Sequence, residues 1–111
     1  MSEHEVYLEG DIPQYDTTKM HDTLKKVVKH YGNDSQMIKT IEELSELQKE
    51  LCKYINGEQN TKNIYEEMAD VSIMIYQLSL IMGITQHTIQ PYIDYKLRRL
   101  EQRIDNETKN E

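Results

Sequence analysis

Residues 64–82 read IYEEMADVSIMIYQLSLIM, a run without glycine or proline. Ile64, Met68, Val71, Ile75, Leu78 and Met82 recur by four and three, the spacing of a packed helical seam. Ile73, Met74, Tyr76, Leu80 and Ile81 make the second half apolar nearly all round, which suits a helix buried centrally or at a subunit interface. The segment is expected to start near Asn60-Thr61 and to end near Met82-Gly83. Glu67 and Asp70 sit beside the seam, at its polar end. Carboxylates that close to a core need partners or a metal.

Working outward from this segment, the chain reads as helical throughout. A helix from about Thr17 to Tyr31 presents Met20, Leu24, Val27, Val28 and Tyr31, with Asp16 or Thr17 as cap and Gly32 as stop. A second helix is expected after the cap residues Asn33-Asp34-Ser35 and runs to about Asn56. Met37, Ile41, Leu44, Leu51 and Ile55 form one stripe on it. Glu43, Glu46 and Glu50 lie on a different side, flanked by Leu47 and Tyr54, so the helix is expected to be covered on two sides. The fourth helix follows Thr85, its regular part expected to begin at Pro91, since proline suits a first turn. Ile89, Ile93, Leu97, Leu100 and Ile104 form its apolar side; Lys96, Arg99 and Arg103 share another. Short loops join the four, which predicts an all-α, antiparallel four-helix bundle assembled into a homo-oligomer. Residues 1–16 read as an N-terminal arm, 17–105 as the single domain, and 106–111 as a fraying tail.

Composition narrows the function classes. The 111 residues include neither Phe nor Trp, and the formal charge is −7. Such a balance argues against a nucleic-acid backbone and against anionic membranes as partners. The lone Cys52 excludes an internal disulfide and a cysteine-based zinc site. Met1 to Tyr15 lacks the apolar run of a signal peptide, and Val71 to Met82 is too short to span a bilayer. A cytoplasmic setting is the expectation. His21, His30 and His87 show no metal-ligand spacing, and no Glu-x-x-His of a di-iron bundle occurs.

The acidic pairs carry the chemistry. Glu43 and Glu46 lie three apart, as do Glu67 and Asp70, so each pair points two carboxylates the same way on a helix. Glu46 and Glu67 stand about ten residues either side of Gly57, on the order of 15 Å from the turn at 1.5 Å per residue. The two pairs are therefore able to meet. Four converging carboxylates repel one another unless a cation sits among them, and all-oxygen sets suit Mg²⁺ or Mn²⁺. Two solvated acidic faces fit the same spacing.

Ile41-Glu42-Glu43-Leu44-Ser45-Glu46-Leu47, then Glu66-Glu67-Met68-Ala69-Asp70-Val71, with twenty residues between Glu46 and Glu67, resembles the acidic signature of the MazG-like all-α nucleoside triphosphate pyrophosphohydrolases. The similarity covers roughly residues 18–104. It implies Mg²⁺ (or Mn²⁺) held by Glu43, Glu46, Glu67 and Asp70, and hydrolysis of an NTP or dNTP to the monophosphate and pyrophosphate. Glu42 matches the extra acid of the first motif, and Lys96, Arg99 and Arg103 resemble the family's later basic positions, which would contact phosphate. Glu46 is the candidate base. Lys39, Gln36, Tyr54 and Tyr76 are further candidates to touch the nucleotide. The resemblance also implies nucleotide pockets built where subunits meet. A dUTP-specific all-α relative is the alternative within enzymes. A non-enzymatic helical interaction module, docking through the apolar third helix, is the alternative outside them.

Overall fold

Asp16 opens the described structure by capping its first helix: its carboxylate accepts the Lys19 backbone N–H at 2.8 Å. The structure, a computed structural model, describes residues 16–110. They form α1 (Thr17–Tyr31), α2 (Asn33–Ile55), α3 (Thr61–Met82) and α4 (Gln86–Lys109). No strand occurs among the described residues, so the all-α expectation holds. No described helix is long and apolar enough to cross a membrane. The expected N-terminal arm lies almost entirely outside the described residues.

Gly32 explains where α1 ends and α2 begins. Its φ of +92° is a conformation that side chains with a Cβ rarely adopt, and it turns the chain within one residue. Its N–H donates to the Val28 carbonyl at 2.8 Å, while its own carbonyl accepts from Gln36 at 3.1 Å. Helix α2 therefore starts at Asn33, and Asn33, Asp34 and Ser35 form its first turn instead of preceding it. Helix α4 differs from expectation at both ends. Thr88 Oγ1 accepts the Thr85 N–H at 3.5 Å and lies 3.3 Å from Thr85 Oγ1, which starts the helix at Gln86, before the proline. Pro91 then falls inside the helix, at the cost of one backbone hydrogen bond. At the other end, α4 continues past Asp105 to Lys109.

The chain divides after Ile81 into two units, the first holding α1, α2 and nearly all of α3, the second α4. Within the first unit, contacts step away from the α2–α3 loop. Asn60 bonds Glu50, Glu67 and Asp70 meet Glu43, and Met74 shares a groove with Gln36. Helix α1 joins them through His21, whose Nδ1 lies 3.2 Å from the Tyr76 hydroxyl.

The packing inverts the expected use of α2. Its buried residues are Gln36, Thr40 and Glu50, while Met37, Ile41, Leu44, Leu51 and Ile55 are exposed. Leu24 is the one buried apolar side chain among the described residues. The physical reason lies in the acids: turning Glu43 and Glu50 toward α3 turns the stripe some 100° or more away from it. On α3, Gln77 is wholly enclosed, and neither amide atom has a hydrogen-bond partner. Met68 and Ile75 of the predicted α3 seam are exposed.

Candidate metal centre

Three carboxylates converge between α2 and α3. Glu43 from α2 and Glu67 and Asp70 from α3 each place one oxygen within 4.8 Å of the others. The helical repeat sets this up: Glu67 and Asp70 are one turn apart on one face, and Glu43 is on the face of α2 that carries buried Gln36, Thr40 and Glu50. Of the four acids expected to meet, Glu46 stands outside this trio. It is exposed and pairs with Lys49 at 3.5 Å.

Charge is crowded here. Burial raises the Glu67 carboxyl above the ordinary range, and the charges of Asp70, Glu43, Glu46 and Glu50 raise it further. Asp70 is raised by the same causes, burial first, then the charge of Glu43 and a hydrogen bond shared with it. Glu46 thus contributes to the field without joining the trio. One Glu67 oxygen, Oε2, is buried and accepts no hydrogen bond. An enclosed carboxylate oxygen with nothing to neutralise it is costly, and a proton or a cation resolves that cost.

Lys39 supplies an opposing charge at this edge. Its Nζ lies 3.2 Å from Glu43 and 3.5 Å from Glu42. The hydrogen bond to Glu43 and the two negative charges raise its own pKa. Of the further candidates, Glu42 thus pairs with Lys39, while Tyr76 is engaged with His21, their rings edge to face at 6.3 Å between centroids. Tyr54 is exposed. Lys96, Arg99 and Arg103 are exposed on α4, in the second unit, and the Arg99 guanidinium lies over Tyr95 at 5.8 Å from the ring centroid.

A groove of about 740 Å³ opens beside the acids. Val27 and Tyr31 of α1, Gln36, Ile38, Lys39 and Glu42 of α2, and Met74 of α3 line it. Gln36, Lys39 and Glu42 are candidates from the sequence; Val27, Tyr31 and Met74 are apolar helix positions there, and Ile38 is not singled out. Sequence reasoning also missed the Glu50–Asn60 pair. Asn60 Nδ2 donates to the Glu50 carboxylate at 2.6 Å and to the Glu50 carbonyl at 2.9 Å, and this bond lowers the Glu50 pKa. A signal existed: Glu50 follows Glu43 by seven residues and so shares its helix face.

Hard oxygen donors on two helices, one of them unpartnered, fit Mg²⁺ or Mn²⁺ better than a softer metal. No family model, no curated protein and no solved structure matches the chain.

Proposed function

We propose that this chain is a Mg²⁺-dependent nucleoside triphosphate pyrophosphohydrolase, releasing a nucleoside monophosphate and pyrophosphate. The observation that carries the reading is the carboxylate trio of Glu43, Glu67 and Asp70, with its buried, unpartnered Glu67 oxygen. The resemblance of the surrounding motifs to MazG-like enzymes supports it, as does the adjoining groove. In this reading the four helices form an antiparallel bundle in a homo-oligomer.

Bound Mg²⁺ would supply charge neutralisation on the triphosphate and a water acidified for in-line attack. The chain's own residues do the rest. Glu43, Glu67 and Asp70 would hold the cation. Glu46, one turn from Glu43 and exposed to solvent, accepts the proton of the attacking water. Water adds to the α-phosphorus, the bond from that phosphorus to the bridging oxygen breaks, and pyrophosphate leaves with the electron pair. The groove receives the nucleoside between the apolar walls of Val27, Ile38 and Met74, where the Gln36 amide offers both a donor and an acceptor to a base edge. Lys39 lies between groove and acids, placed to meet a phosphate oxygen. By the same resemblance, Lys96, Arg99 and Arg103 are the basic residues expected to contact phosphate.

Incubation with a panel of NTPs and dNTPs plus Mg²⁺, read by phosphorus NMR, tests this reaction. Monophosphate and pyrophosphate are expected. Orthophosphate with a diphosphate would overturn the bond assignment, and no turnover across the panel would favour a helical interaction module.

A further inference from the structure

Lys39 belongs to two places at once. Its Nζ lies 3.2 Å from Glu43 Oε1, and the residue lines the groove beside Ser35, Gln36 and Glu42. Of the carboxylate trio, it pairs with Glu43 alone. That pairing works against the geometry of the helix. Cα–Cβ bonds tilt toward the helix N-terminus, so a long side chain at this position leans over Ser35 and Gln36, on the groove side. It must turn back to reach a carboxylate four residues later. Lysine before glutamate is also the weaker of the two orders for a pair four apart. The lysine side chain is 50% exposed, and ion pairs open to solvent contribute little. Glu43 is held differently: its side chain is 14% exposed and meets Glu67 and Asp70 of α3. The carboxylate is fixed by its surroundings, and the ammonium is held loosely.

We propose that Lys39 is an internal competitor for the cation: it neutralises Glu43 when no metal is bound, and a divalent metal drives it off Glu43 toward the groove. The exchange rests on the cation-site reading given above, and not on which bond of a substrate is cleaved. An ammonium and a divalent cation that both face Glu43 at close range repel each other, so one displaces the other. The cation draws on three carboxylates of the trio and the lysine on one, so the cation prevails once its concentration suffices. Until then the hold of Lys39 on Glu43 lowers the affinity of the centre for metal, as any coupled competitor does. Glu42 eases the exchange. It lies 3.5 Å from Nζ, lines the groove and stands outside the trio, so the displaced ammonium keeps a counter-charge. Cation binding then leaves a positive charge beside the groove for an anionic ligand.

Mn²⁺ titration read by electron paramagnetic resonance, without nucleotide, tests this on the wild type, Lys39→Met, Lys39→Arg and Lys49→Met. Lys49→Met is the control for charge, because Lys49 also lies on α2 but pairs at 3.5 Å with Glu46, outside the trio. Lys39→Met should tighten Mn²⁺ binding on the order of tenfold, an ordinary coupling between sites. Lys49→Met should tighten it much less, and Lys39→Arg should bind no more tightly than the wild type. Reductive methylation followed residue by residue in a mass spectrometer reads the displacement itself. Saturating Mg²⁺ should speed modification of Lys39 and leave exposed Lys25 on α1 unchanged. Lys39→Met binding equal to or weaker than that of the wild type would overturn the exchange while the cation site stands. Equal tightening in both methionine variants, or Lys39 modification indifferent to Mg²⁺, would do the same. No saturable binding in any of the four proteins would overturn the cation site and the exchange together.

Discussion

Glu67 has one oxygen enclosed without a partner and four acids raising its pKa beyond what burial does. Glu67 and Asp70 hold protons more tightly in the folded chain than in the unfolded one. Their contribution to stability is therefore complete below the ordinary carboxylate value, about 4, and is lost as pH rises through their raised values. In chelator, this pair should make the melting temperature fall as pH rises above about 4. Glu67→Gln should flatten that slope and raise the melting temperature at pH 7, and thermal scans of both proteins read this directly. An unchanged slope would mean that Glu67 is not strained. Turnover should fall on the order of a hundredfold or more in Glu67→Gln and Asp70→Asn, since each removes a charge that the transition state relies on. Gln77 is enclosed, and its amide lacks partners. An unsatisfied buried amide costs about 1–3 kcal/mol, so Gln77→Met should move the urea midpoint upward by a corresponding amount. A lower midpoint would show that the amide has a partner, such as a bound water.

Loops and helix faces decide how the acids are presented. Asn60, at the head of α3, ties the α2–α3 turn to Glu50 through two hydrogen bonds. Glu50 has a lowered pKa, so its contribution is present above the ordinary carboxylate value and is lost as pH falls through its depressed one. Asn60→Ala should lower the unfolding midpoint at pH 7 and shrink the loss of stability between about pH 4 and pH 2, as measured by denaturant titration at each pH. The four helices were legible in the sequence because their apolar residues keep the helical period, and the Glu67–Asp70 pair was legible because it lies three apart. The use of α2 was not. Periodicity identifies an apolar stripe but not what covers it, and here the polar side of α2 faces its own chain. The turn at Gly32 moved the start of α2 because three good cap residues in a row do not say which one, if any, caps. Pro91 misled the reading of α4 because a threonine pair one and a half turns earlier had already nucleated the helix.

On the scale of the whole molecule, the polar side of α2 forms the acidic centre with α3, and its other side carries the exposed apolar stripe. A divalent cation held by the folded centre, as proposed, would not be held by the dispersed acids of the unfolded chain, so Mg²⁺ or Mn²⁺ should raise the melting temperature by mass action. The rise should be larger at pH 8 than at pH 6, because protons compete for Glu67 and Asp70 as pH falls. Differential scanning fluorimetry across that range tests both points. The most direct test of the centre itself is a titration with Mn²⁺ at pH 7.5, with free ion counted by electron paramagnetic resonance. Saturable binding of at least one Mn²⁺ per chain is expected, with competition by Mg²⁺, and it should be lost in both Glu67→Gln and Asp70→Asn. Equal binding by the wild type and the two variants, or no saturable binding at all, would contradict the assignment of Glu43, Glu67 and Asp70 as a cation site.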